Sequence, residues 1–347
     1  MTLRFWIEEA ADPDDVMQNW EFIMNNMLLD GLERTTVPGF DDFFFTRFYD
    51  GSESKIDASN STCCYASPLT TAADRGKAWF CTQFDQFDDS SVSAVNWTTA
   101  TGGSGASVSE SGVKITISVS LSGSQNGNAT LTSDGSSGLD MRGQDGEIIF
   151  FASWETTGSD TGSEDKDVEL YVGATLIKQF HTGSGNASQI ADFRLVFNNA
   201  AQTVDLYEDG SKTVSAINIS GEANWDVAWR VDAVSASGDV AVAKWVIYTV
   251  GFVKDGDSNS VDFVTATETA PSTVDAMFLR VVISGGSTTL NGSANNGSNY
   301  STLTNKQLAS IATSGTGIKF KATQTVPSIN SAQVNIESIS ELGVFYG

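Results

Sequence analysis

The chain has 347 residues, with 43 acidic side chains against 19 basic ones and a formal net charge of -24. That charge argues against a nucleic-acid backbone or an anionic membrane surface as partner. The 20 Phe, 8 Trp and 40% apolar residues are enough to bury a sizeable core, and the single histidine, His181, excludes a multi-histidine metal site.

The opening stretch carries four carboxylates by Asp14 and lacks the apolar run of a secretory signal. No segment reaches the roughly 20 apolar residues that a membrane helix needs, so membrane insertion is not expected. Asp12 suits an N-cap, Pro13 the first helical position, and Asp14 and Asp15 complement the helix dipole. Val16, Trp20, Ile23 and Met27 then recur at helical spacing. Met17, Met24 and Leu28 widen the stripe until Gly31 can stop it, which predicts one helix from Asp12 to Asp30. So wide an apolar face predicts attachment to a second copy of the chain or to other subunits.

Residues 37–80 are aromatic and irregular, with Phe43, Phe44 and Phe45 reading as a buried strand. Cys63, Cys64 and Cys81 form an odd set, which favours reduced thiols over a disulfide framework. From Phe84 onward the period becomes two. Val113, Ile115, Ile117, Val119 and Leu121 alternate with polar residues, as do Val168, Leu170 and Val172, and Trp225, Val227, Trp229 and Val231. Asp209-Gly210 between alternating runs signals a hairpin. The run from Trp245 to Val253 is apolar on both faces, as in a central strand. A break follows at Lys254 to Ser260, after which alternation resumes through Met277, Leu279, Val281 and Ile283, and again at Ile318, Phe320 and Ala322. No helical pattern intervenes, so the expected class is all-β. The expected units are 1–79, an N-terminal helix and attachment segment; 80–254, a large sandwich; and 255–347, a smaller C-terminal β-sandwich.

Three stretches of the large sandwich resemble the concanavalin A-like lectin/glucanase fold, including laminin-G-like domains. They are Phe84-Asp85-Gln86-Phe87-Asp88-Asp89 with Asn96-Trp97, then Val204 to Gly210, then Trp245-Val246-Ile247-Tyr248. With its short helix and small C-terminal sandwich, the whole arrangement is similar to tail, fibre and surface proteins of tailed viruses. The resemblance implies a jelly roll in a non-enzymatic virion structural protein. That protein would be made in the host cytoplasm, carried on a particle as a homo-oligomer beside other virion proteins, and able to contact host-surface carbohydrate.

Asp165, Asp167 and Glu169 share a strand face with Tyr171, about 6–7 Å apart along the strand. Paired carboxylates at about 5–9 Å are what glycoside hydrolysis uses. The fold family's glucanase motif is E-x-D-x-x-E, and counting from Glu164 puts Lys166 where its Asp should stand. The cluster therefore reads as a solvated acidic face, and no catalytic residue is expected. Tyr171 and Tyr207, off the core period, are the candidate sugar-stacking platforms. Asp85, Asp88 and Asp89 are the candidate calcium ligands, calcium being the one cofactor that so acidic a surface suits. The alternatives on the same fold are a free-standing carbohydrate-binding module and a glycan-cleaving enzyme using Asp167 and Glu169.

Overall fold

The computed structural model describes residues 42–46, 57, 61, 63–66, 77–81, most of 83–325, and 338–346, and every regular element among them is a strand. The helix expected from Asp12 to Asp30 lies outside the described residues, as do Asp88 and Asp89. Three short strands come first: β1 (Asp42–Thr46), β2 (Cys63–Ala66) and β3 (Lys77–Phe80).

The jelly roll follows. Its strands are β4 (Gln83–Asp85), β5 (Trp97–Gly103), β6 (Ala106–Glu110), β7 (Ile115–Ser122), β8 (Gln125–Ser133), β9 (Gly146–Gly158) and β10 (Asp165–Val172), then β11 (Thr175–His181), β12 (Ala187–Asn198), β13 (Thr203–Glu208), β14 (Ser211–Asn218), β15 (Val227–Ser235) and β16 (Val240–Lys254). They form a five-stranded sheet in the order β11-β10-β15-β8-β5 and an eight-stranded sheet in the order β14-β13-β12-β9-β16-β7-β6, with β4 beside β16. Period-two alternation drives this, because each strand turns one side chain in two toward the opposite sheet. On β7, Ile115, Ile117, Val119 and Leu121 are buried between the sheets as their spacing predicts. The predicted hairpin forms at Asp209-Gly210, both at positive φ (47° and 77°), the backbone that a tight two-residue turn between twisted strands requires.

Aromatic rings fill the space between the two sheets. Trp229 meets Phe150 edge-on at 5.1 Å, Phe150 stacks on Phe193 at 4.9 Å, and Phe180 meets Trp245 edge-on at 5.0 Å. Phe150, Phe193, Trp229 and Trp245 are fully buried, and each such side chain contributes roughly 1.5–3 kcal/mol; Phe180 is partly buried against them.

The chain then adds β17 (Ser260–Val264), β18 (Glu268–Ser284), β19 (Thr288–Ser293), β20 (Ser301–Leu303), β21 (Leu308–Thr325) and β22 (Ser338–Tyr346). The three N-terminal strands join them. β1 runs antiparallel to β22 from Asp42 opposite Tyr346 to Thr46 opposite Leu342, and β3 pairs β22 on one side and β2 on the other. The result is one nine-stranded assembly made from both ends of the chain, with the jelly roll inserted between β3 and β17. Its incoming strand β4 and outgoing strand β16 lie side by side, Asp85 opposite Val250.

The two units share a hydrophobic boundary. Ile149, Phe151 and Val253, on the outward face of the eight-stranded sheet, are buried in a second core with Phe263, Met277, Leu279 and Phe320. This explains why β9 and the end of β16 are apolar on both faces: one face meets the opposite sheet, the other the composite unit. The outward face of the five-stranded sheet takes part in neither core.

Candidate functional site

That open face carries the polar side chains of four strands in register. On β10, Val168, Leu170 and Val172 point inward, so Asp165, Asp167, Glu169 and Tyr171 point out. The neighbouring β15 places Asp232 opposite Asp167, Arg230 opposite Glu169 and Ala228 opposite Tyr171. β8 continues the rows with Asn128 opposite Asp232 and Thr130 opposite Arg230. On the other side β11 sets Gln179 opposite Glu169, across a register shift between Val168 and Glu169. Irregularities of this kind re-aim side chains at functional edges. From inside the core, the Trp245 indole N–H donates to the Glu169 carbonyl at 3.3 Å and fixes the backbone at that point.

The side chains engage one another. The Gln179 amide nitrogen donates to Asp167 Oδ1 at 3.0 Å and to Glu169 Oε1 at 3.4 Å, so a single nitrogen touches both carboxylates. The Tyr171 hydroxyl donates to Glu169 Oε2 at 2.9 Å. Arg230 donates to Asp232 Oδ2 at 2.6 Å and reaches Glu169 Oε2 at 3.8 Å. Glu169 is thereby held in one orientation although it is buried.

Asp167 is different. Partial burial pushes its carboxyl above the usual carboxylate range, and the charges of Asp165 and Asp232 push the same way; hydrogen bonds from Thr182 and Gln179 offset only part of this. Burial works against the charge on Arg230, but Asp232 and Glu169 outweigh it and hold the guanidinium more firmly protonated. The Tyr171 hydroxyl is pushed up by burial and then by the Glu169 carboxylate it donates to. Two carboxyls side by side, one of them pushed upward by burial and neighbouring charge, are an arrangement that acid-assisted cleavage of a glycosidic bond can use.

Of the residues singled out from the sequence, Asp165, Asp167, Glu169 and Tyr171 are brought together here. Tyr207 lies elsewhere: the Arg194 guanidinium sits over its ring at 4.3 Å and the Lys212 amine at 5.3 Å, so the ring is engaged by the protein's own cations. Asp85 is also committed internally. Its Oδ1 accepts from the Phe87 amide at 2.8 Å and its Oδ2 from the Trp97 indole N–H at 2.7 Å, which spends both oxygens on the fold. Among the described residues no group of three or more His, Cys, Asp or Glu side chains is placed to hold a metal ion. Sequence reasoning missed Arg230, Asp232 and Gln179. Outward polar positions on alternating strands were the available signal, but which strands become neighbours was not written in the alternation.

No protein-family model matches the chain, and no curated sequence matches it. Solved structures do. The laminarinase from Rhodothermus marinus matches at 11% identity over 51% of this chain and 98% of its own, with a TM-score of 0.32. A glycoside hydrolase family 16 endo-glucanase from Bacteroides ovatus matches at 9% over 49% and 99%, with a TM-score of 0.31. The endo-1,3-beta-glucanase from Streptomyces sioyaensis matches at 12% over 53% and 99%, with a TM-score of 0.30. The two-sheet jelly roll expected from the sequence is present in the chain's own strand order. The expectation of a non-enzymatic virion structural protein is corrected to this extent: the matching structures are named as a laminarinase, an endo-glucanase and an endo-1,3-beta-glucanase, and none of these three is named as a virion protein. At such identities the likeness is one of fold alone, so the activity is argued from this chain's own side chains.

Proposed function

We propose that the open face of the five-stranded sheet binds a glycan and hydrolyses a glycosidic bond, with Asp167 as proton donor and Glu169 as the anionic partner. The observation that carries this reading is the Gln179 amide touching both carboxyls, which keeps them at the short spacing of a paired-carboxylate site. Asp167, raised by burial and by Asp165 and Asp232, supplies a proton to the departing sugar oxygen. Glu169, oriented by Tyr171, Gln179 and Arg230, faces the positive charge that develops on the sugar ring. Thr130 and Asn128 extend the polar surface along the sheet, where sugar hydroxyls find hydrogen-bond partners.

The test is release of reducing ends from a panel of soluble polysaccharides, β-glucans included, by the full chain and by Asp167→Asn and Glu169→Gln. Each change is expected to lower turnover by about 10²–10⁴-fold while leaving unfolding unchanged. Reducing-end release that is equal in all three proteins, or absent from the unaltered chain on every polymer, would overturn the reading.

A further inference from the structure

At one end of the sandwich a lysine is placed where none is expected. Lys166 lies on the inward face of β10, in the row of Val168, Leu170 and Val172, and is fully buried like them. A buried ammonium needs a close anion, yet the carboxylate beside it, Glu164 Oε1, stands 4.0 Å away. Glu164 is itself buried, and its oxygens already accept from the Thr161 amide at 3.2 Å, the Thr161 hydroxyl at 2.9 Å and the Ser163 amide at 3.2 Å. What Lys166 Nζ touches most closely is a neutral group, the side-chain carbonyl oxygen of Asn186 at 2.9 Å, with the Ser159 carbonyl further off at 3.4 Å. Asn186 immediately precedes β12 of the opposite sheet, and its Nδ2 donates to the Gly158 carbonyl at 3.3 Å. An amine from one sheet therefore meets a carboxamide from the other, with a buried carboxylate next to the amine.

We propose that Lys166 and Asn186 join in an intramolecular isopeptide bond that ties the two sheets together, with Glu164 as the proton shuttle. Glu164 takes a proton from Lys166 Nζ, and the freed lone pair attacks Asn186 Cγ. In the tetrahedral adduct Nζ gives up a second proton; Glu164 returns one proton to Nδ2 and the other departs with it, so the Nζ–Cγ bond is kept, the Cγ–Nδ2 bond breaks and the nitrogen leaves as ammonium. Glu164 ends as it began, and no oxidant, reductant or cofactor enters. The 2.9 Å hydrogen bond from Lys166 Nζ to Asn186 Oδ1 already holds the amine beside the carboxamide, which makes the attack intramolecular. The Gly158 carbonyl holds the departing nitrogen, and the exposed side of Asn186 lets ammonium pass into solvent.

The test is the intact mass of the full chain, denatured after purification, followed by peptide mapping. The expected mass is below that of the sequence by one ammonia, about 17 Da, with the loss on a branched peptide joining Lys166 to Asn186. Lys166→Met and Asn186→Ala are expected at their full sequence masses, and Glu164→Gln is expected to cross-link far more slowly. A full-mass unaltered chain, or a loss that maps to any other residue, overturns the bond. Unchanged cross-linking in Glu164→Gln overturns the shuttle. Because the unaltered chain gives the deciding reading, a variant that fails to fold leaves the result intact.

Discussion

Glu147 on β9 is the most exposed to pH of the described side chains, although it is almost fully shielded from water. It is 1% exposed, neither carboxyl oxygen has a hydrogen-bond partner, and its register neighbours are Val196 and Val253. Burial raises its pKa to about 8, with the Arg194 charge pulling only weakly the other way. The folded chain then holds a proton that the unfolded chain releases near 4.5, so stability is full below that value and falls as pH rises toward 8. By pH 7 the loss from this one group is on the order of 3 kcal/mol. Urea unfolding from pH 4 to 8 should therefore show a decline that Glu147→Met largely removes; equal slopes in the two proteins would contradict the assignment. At the candidate site, raised Asp167 must stay protonated to act, so turnover is expected to fall as pH rises through its raised pKa. Asp232→Asn removes one of the charges that raise it, and the descending limb of the pH profile should move to lower pH. The outward set on β10 was legible from alternation alone. Arg230 and Asp232 were not, because cross-strand neighbours belong to sheet order and not to local period.

Among the elements, β4 is the shortest strand of the jelly roll and depends on one side chain. Asp85 accepts from both the Phe87 amide and the Trp97 indole, and the Thr249 hydroxyl donates to its carbonyl at 3.2 Å, so this residue ties β4 to β5 and β16 together. Asp85→Ala leaves two partly buried donors without a partner, and the expected loss is about 3–6 kcal/mol in chemical denaturation, at about 1.5–3 for each hydrogen bond to a charged group. Calcium or chelator should move the midpoint of neither protein if the carboxylate serves the fold, as its two contacts indicate. Strand-level reading of the sequence succeeded on β7, β10, β13 and β15, where one face meets the core and the other water. It also set Ile148, Phe150, Ala152 and Trp154 of β9 on one face, the face buried in the jelly-roll core, but it said nothing about β1 and β3 pairing with β22 more than about 250 residues away, since pairing at that distance leaves no local signature.

At the scale of the whole molecule, the jelly roll is an insertion in a sheet built from the two ends of the chain. Residues 83–254 hold a core of their own, so that segment alone is expected to unfold cooperatively, but with Ile149, Phe151 and Val253 newly in water. Phe151→Ser should then act in opposite directions: less self-association in the isolated segment, and about 3–5 kcal/mol less stability in the full chain, where it opens a cavity at the boundary. Light scattering on the first and urea midpoints on the second check the pair. The strands β1 to β3, expected to stand apart in an N-terminal unit, join the sheet that ends in β22. The adjacency of β4 and β16 also decides how tension would travel. A pull on the composite unit reaches the jelly roll at Gln83 and Phe252, which face each other at the same end of an antiparallel pair. Such a load opens the ladder one rung at a time, as a zipper parts, and leaves the interior of the sandwich unstretched until those few rungs have gone.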